Sequence, residues 1–355
     1  MTKSTRRLAI SAAALALAGA AANPAAADAV ADFYKGKQIT MVVGYGTGGG
    51  FDVYARLVAR HIVRFIPGNP TAVVQNMPGA GSLRAVNHLY NLAPKDGTVM
   101  AHFSRNMPLL AVLGNNPNAR FDAHKFTWLG SSSSFANDAY ILVAGPKSPI
   151  KSIEDARRAG GAPIVLGGSA EGSTSNDVPV ILRDTIGLNY KLVAGYPDSA
   201  ALFLATERGE VDGRMVDLSG VKTIKPQWLD KNSGYKVLVQ FGRETRVAEL
   251  SDVPTARELA LNPSARALIE LTELPYKLSR PFAAPPGVPE DRARALQAAF
   301  LATHKDPQFR ADAEKANIDI SPVGPEAVID AINQIEKAPP ELFEYLKKLF
   351  AANKG

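Results

Sequence analysis

Two α/β lobes with a ligand cleft between them are what this 355-residue sequence predicts. Three observations point there. Apolar, β-branched runs alternate with helical patterns, which is how parallel α/β layers are written in a sequence. The alternation starts afresh after the turn-rich stretch 129–138, LGSSSSFAND, and a chain this long divides into two cores more readily than it enlarges one. Four glycine- or serine-rich loops fall at the carboxyl ends of strands, where open α/β sheets gather ligands.

In chain order, the first lobe reads as strand ITMVVG (39–44), helix 53–65, strand TAVVQNM (71–77), helix 82–91 and strand TVMAHF (98–103). The second reads as YILVAG (140–145), helix 153–159, PIVLGG (163–168), helix 176–186, YKLVAGY (190–196), helix 199–208 and KVLVQFG (236–242). The tail predicts helices near 256–261, 263–273, 289–305, 307–317 and 325–337, with one extended piece, KLSRPFAAPPG (277–287). Proline stands just inside several of these starts, where its missing N–H costs nothing. The predicted division is a discontinuous lobe I, 28–135 plus 240–355, and a lobe II, 136–239.

Residues 1–27 form a leader. Lys3, Arg6 and Arg7 precede an apolar stretch from Leu8 to Ala22, and Ala25-Ala26-Ala27 stand before Asp28; this is the pattern of an export signal cleaved after Ala27, with an apolar part too short to span a membrane. Its loss takes three basic residues and brings the formal net charge from +6 to +3. Charges are interspersed rather than gathered on one basic face, which argues against nucleic acid as a partner. No cysteine is present, which excludes disulfides, thiolate metal sites and a cysteine nucleophile. A bacterial periplasm fits these features.

Catalytic patterns are absent. The five histidines, His61, His88, His102, His124 and His304, show no metal-ligand spacing, and no metal or cofactor is predicted. Around Ser169 the run GGSAE misses the last glycine of a nucleophile elbow; a periplasmic serine hydrolase acting on a carboxylic ester stays as the alternative reading. Gly44-x-Gly46-x-x-Gly49 matches the dinucleotide fingerprint in spacing, yet Gln75-Asn76 stand where the ribose-binding acid belongs, and the P-loop lysine is missing. What survives is the physics of the loop. Glycine lets backbone N–H groups approach a ligand closely, and the next helix begins with unpaired, partly positive donors, so an anion site remains.

Six ordered blocks, 39–62, 67–98, 126–157, 193–213, 250–260 and 280–310, together resemble the extracytoplasmic solute receptors of tripartite tricarboxylate transporters, the Bug family. The likeness covers almost the whole mature chain. It implies a monomeric, two-lobed periplasmic binding protein of type II, without enzymatic activity, that captures a small carboxylate (a di- or tricarboxylate, or an aromatic or apolar carboxylate) and hands it to membrane permease subunits. The family's ligand loops fall on Gly44–Asp52, Met77–Gly81, Gly168–Ser175 and Gly195–Asp198, whose backbone amides and hydroxyls hold one carboxylate with no arginine clamp required. The candidate ligand-binding residues are therefore Tyr45, Thr47, Gly48, Gly49 and Phe51; Asn76, Gly79, Ala80 and Gly81; Ser131 and Ser132; Ser169, Gly172, Ser173 and Thr174; and Tyr196 and Asp198.

Departures from the family carry information of their own. Gly44 and Gly46 stand where prolines are usual, Thr47 adds a hydroxyl, and Phe51 replaces a small polar residue. Phe51 either faces the cleft, favouring a ligand with an apolar body, or packs beneath the following helix. Asp52 reads as a first-turn residue that organises the loop, and Arg105 as a cleft cation or a solvated side chain.

Overall fold

The structure is a computed structural model that describes residues 24–352 apart from Glu171. Its elements in order are α1 (Pro24–Tyr34), β1 (Gln38–Val43), α2 (Gly50–Ile62), β2 (Thr71–Asn76), α3 (Leu83–Asn91), β3 (Val99–His102), α4 (Met107–Leu113) and β4 (Thr127–Ser131). Then come β5 (Tyr140–Ala144), α5 (Ile153–Ala156), β6 (Ile164–Gly167), α6 (Thr174–Ile186), β7 (Tyr190–Val193), α7 (Ser199–Arg208), β8 (Gly213–Asp217), α8 (Leu218–Ile224) and β9 (Lys236–Phe241). The chain ends with α9 (Pro263–Glu273), β10 (Pro281–Ala284), α10 (Glu290–Lys305), α11 (Pro307–Lys315), α12 (Pro325–Glu336) and α13 (Pro340–Ala352).

Two five-stranded sheets result, ordered β2-β1-β3-β10-β4 and β7-β6-β8-β5-β9. The sequence reads as parallel throughout, but both sheets are mixed: β10 runs antiparallel to β3 and β4, and β5 antiparallel to β8 and β9. The reason lies in the connectivity. β5 is the first strand after the chain enters the second sheet and β10 the first after it returns, so each arrives from the other lobe rather than over its own sheet's helices. Both faces of the first sheet are covered, which explains its almost unbroken apolar strands. Met41 and Val43 pack with Phe282, Phe300 and Phe309 on one side, while Val42 packs with Phe103, Trp128 and Ala283 on the other, as alternation along a strand requires.

The stretch 256–261 is a turn rather than a helix; the Ala256 N–H donates to the Gln240 carbonyl at 2.8 Å, tying the segment to β9. Helix α4, strand β8, and helices α8 and α13 escape the sequence reading, being short or lying in mixed polar runs. The expected leader lies outside the described residues as far as residue 23, and α1 runs through the expected cleavage point. Among the described residues no helix is long and apolar enough to cross a membrane.

Candidate functional site

The glycine loop between β1 and α2 is tightly organised. Asp52, in the first turn of α2, accepts hydrogen bonds from the Gly48 N–H at 2.9 Å, the Arg56 Nε at 2.9 Å and the Asn76 Nδ2 at 2.8 Å. Asn76 also donates to the Tyr45 carbonyl. Gly44 and Gly46 are explained by neighbours, not by a nucleotide: a Cβ on Gly44 would stand 2.4 Å from the Ser82 Oγ, and one on Gly46 would stand 2.5 Å from the Asp198 Oδ2 of the opposite lobe. The second contact shows that the lobes are closed on each other here.

Between them lies a small cavity of about 60 Å³, room for a few water molecules in this closed arrangement. Three helices from both lobes begin at its wall: α2 with Gly49 and Gly50, α6 with Ser173, Thr174 and Ser175, and α7 with Asp198 and Ser199. The first amides of a helix have no intrahelical carbonyl and carry partial positive charge, so the ends of α2 and α6, which no side chain caps, attract an anion together; at α7 the Asp198 carboxylate already accepts from the Ala201 N–H at 2.9 Å. Ser169, Ser173 and Ser175 form a triangle of hydroxyls 2.8–3.1 Å apart. Arg214 reaches the same wall, buried to 3% exposure, with its NH1 and NH2 donating to the Ser199 carbonyl and Oγ, each at 2.7 Å. Burial pushes its guanidinium down to about 10. From lobe I, Tyr45 and Phe51 stack with ring centroids 4.5 Å apart and line the cavity. Phe51 does both things the sequence left open, since its ring also packs against His102 at 4.8 Å.

An ion triad joins the lobes at this wall. Asp217, at the end of β8, accepts from the Arg105 NH2 at 2.7 Å and the Arg280 NH2 at 2.8 Å. Both arginines come from lobe I, and they are 0% and 1% exposed. The solvated reading of Arg105 is therefore corrected: this side chain is enclosed, with its guanidinium 4.7 Å from the Tyr276 ring centroid and 5.0 Å from that of Phe135. Burial alone would raise the Asp217 carboxyl, and the two guanidinium charges override it, holding it down at about 2. Behind it, burial and the Asp217 charge push Asp138 up to about 6, although Ser219 donates to it through both backbone and hydroxyl.

The structure brings Tyr45, Gly49, Phe51, Ser169, Ser173, Thr174 and Asp198 together at the cavity. Other expected residues stand elsewhere. Thr47 and Gly48 are exposed at the loop tip, and Asn76 supports the loop from behind. Gly79 and Ala80 are exposed, and with Gly81 they turn Ser82 onto the Gly44 carbonyl rather than onto the cavity. Ser131 is buried, its Oγ accepting from the Arg280 N–H and donating to the Ser133 carbonyl. Gly172 lines a smaller neighbouring cavity beside Asn106 and Leu110, and Tyr196 sits behind Gly167. Gly50 and Ser175, from two of the expected loops, also line the cavity, and the sequence reading missed Tyr140, Ser199, Leu202, Arg214, Val216 and Asp217, four of which come from β8 or its facing strand.

Ser132 belongs to the core. Its hydroxyl donates to the His304 Nε2 at 2.8 Å, while His304 Nδ1 donates to the Phe300 carbonyl at 2.7 Å, so the ring is satisfied neutral. Burial pushes His304 down to about 4. The unfolded histidine takes up a proton near pH 6.5, so the stability contribution is complete above that pH and is lost as pH falls towards 4, at about 1.4 kcal/mol per pH unit. Urea denaturation at pH 7, 5.5 and 4.5 checks this. The difference in acid sensitivity between wild type and His304→Gln isolates the histidine from Asp138 and Glu273, whose raised carboxyls act with the opposite sign; equal slopes would refute it.

No family model matches the sequence. A UPF0065 protein in the gbd 5′ region of Cupriavidus necator is 33% identical over 144 residues, covering 41% of this chain and 41% of that protein, so the match spans about two-fifths of the relative. A UPF0065 protein of Bordetella pertussis is 22% identical over 288 residues, covering 80% of this chain and 82% of its own. Among solved structures, the periplasmic binding protein BugD superimposes with a TM-score of 0.69 at 20% identity, covering 89% of this chain and 98% of that one. A Rhodopseudomonas palustris protein with adipate gives 0.67 at 20% identity (89% and 97% covered), and MatC from the same organism with bound malate gives 0.64 at 19% identity (88% and 99% covered). The chain is a two-lobed α/β protein with the fold of periplasmic binding proteins such as BugD, and its relatives in sequence are UPF0065 proteins.

Proposed function

We propose that the chain is an exported periplasmic receptor that captures a small carboxylate in the interlobe cavity and delivers it to the permease of a tripartite tricarboxylate-type transporter. The observation that carries this reading is the convergence of two uncapped helix N-termini, α2 from one lobe and α6 from the other, with the buried Arg214, on one cavity. The malate and adipate in two structures of the same fold support it. Micromolar capture needs about −8 kcal/mol. Hydrogen bonds to a charged group supply about 1.5–3 kcal/mol each, so three or four on one carboxylate cover most of it, and burial of the ligand's body offsets the cost of association. The receptor acts as a monomer after loss of the leader, without metal, cofactor or nucleic acid. A hydrolytic role finds no support. The Ser169 hydroxyl bonds to Ser173 and Ser175, and among the described residues no histidine lines the cavity to serve as its base.

A thermal-shift panel of malate, adipate and benzoate against sugars and amino acids tests the proposal. A carboxylate present at about 100 times its Kd stabilises by about 2.7 kcal/mol, a clear rise in Tm. A shift with sugars or amino acids and none with carboxylates would overturn it.

A further inference from the structure

The two walls of the cavity differ in chemistry. Lobe II presents hydroxyls and Arg214, and lobe I presents the stacked rings of Tyr45 and Phe51. Arg214 is held in place by both of its terminal nitrogens on Ser199, while its Nε has no hydrogen-bond partner among the described residues. The guanidinium also lies over the Phe203 ring, 4.3 Å from its centroid, so it is pre-oriented at the cavity wall with one donor unspent among the described residues. On the opposite wall the Phe51 ring is pinned, with the Arg280 guanidinium 4.7 Å from its centroid, and so offers a fixed apolar surface.

The charges limit what can enter. Asp198 and Asp217 line the same cavity, and Arg105 and Arg280 are both turned to Asp217. Arg214 is then the one cation among the described residues that line the cavity. A first carboxylate is met by it, and a second would be buried beside Asp198 or Asp217 with no further lining cation to meet it, which is unfavourable.

From this we infer that the cavity selects a monocarboxylate with a flat apolar body: Arg214 and the neighbouring hydroxyls take the carboxylate, and Tyr45 and Phe51 take the body. The inference rests on the receptor reading above and narrows it. Arg214 acts here as the specificity-determining cation, supplementing backbone amides that recognise any carboxylate.

Isothermal titration of the full chain with benzoate, terephthalate and adipate tests it, using wild type, Arg214→Met, Arg214→Lys and Phe51→Ser. Benzoate is expected to bind wild type at least about tenfold more tightly than either dicarboxylate. Arg214→Met is expected to weaken benzoate about 10- to 100-fold, from the loss of a charged hydrogen bond, Arg214→Lys to restore part of the loss, and Phe51→Ser to weaken benzoate while sparing adipate. Terephthalate or adipate binding wild type as tightly as benzoate overturns the inference and leaves the receptor reading standing, and this comparison needs no variant to fold. An Arg214→Met protein that melts cooperatively and binds benzoate unchanged also overturns it. Silence from all three carboxylates removes the receptor reading and the inference with it.

Discussion

Asp217→Ala is expected to destabilise the protein by about 3–5 kcal/mol, the usual cost of removing one partner from a buried ion cluster. The reason is what remains. Arg105 and Arg280, enclosed at 0% and 1% exposure, would face each other with no carboxylate between them, and their Nε and NH1 atoms already lack hydrogen-bond partners among the described residues. Aromatic faces surround them instead: Tyr276 and Phe135 for Arg105, Phe51 and Tyr54 for Arg280. Such faces offset part of the charge and cannot replace a bidentate acceptor. Urea denaturation measures the loss, and a cycle with Arg280→Met reads the coupling, because the double variant removes one of the stranded charges and should recover part of the stability. A loss below about 1 kcal/mol would show that the triad has water access in solution and contributes as a surface pair does.

Phe282→Ala is expected to cost a similar amount, about 3–5 kcal/mol, through a different mechanism. The ring is fully buried in the middle of the first sheet, stacks on His102 with centroids 4.2 Å apart and planes 3° from parallel, and meets Phe300 at 5.4 Å. Truncation leaves a void next to a histidine whose Nε2 has no partner and which burial pushes down to about 3. Water entering that void would hydrate the ring, so His102 should titrate nearer its ordinary value in the variant. Chemical denaturation gives the first quantity and the histidine proton signals across pH give the second. An unchanged denaturation midpoint would mean that the core collapses around the gap.

The fold was legible where burial dictates composition. Strands covered on both faces must be apolar throughout, and β1, β5 and β9 announce themselves as runs of Val, Ile and Leu. Helix starts were legible for a related reason, since Pro263, Pro307 and Pro325 stand where a missing donor is harmless. The site was half legible. Glycine and serine loops mark backbone donors, and that signal found Gly49, Ser169, Ser173 and Thr174. Of the charged wall groups only Arg105 was weighed as a cleft cation, while Arg214, Asp217 and Arg280 left no trace, because these residues lie far apart in the chain and β8, read as GRMVD, looks like a polar turn. Their meaning exists only once the chain has crossed between sheets and brought β8 against the loop after β3. The serines at 131 and 132 show the converse error. Their spacing imitates a ligand loop, and their hydroxyls are consumed by Arg280 and His304 in the core.

The last helix alters how the two lobes can move. α13 follows α12, which packs on β4 of the first sheet, yet its Leu346 and Leu349 join the apolar cluster of the second lobe beside α6, and the Tyr345 hydroxyl donates to Asp184. Two bodies joined by a pair of crossing segments turn about one axis; a third attachment placed away from that axis acts as a strap. To swing apart, the lobes must carry the strap with one body or peel its leucines from the other, at about 1.5–3 kcal/mol for each side chain fully uncovered. Closure thus has two fastenings of unlike physics. The ionic one at Asp217 weakens as salt reaches it on opening, and the apolar one at α13 does not, so ionic strength would shift the force needed to open the jaw without moving where it pivots.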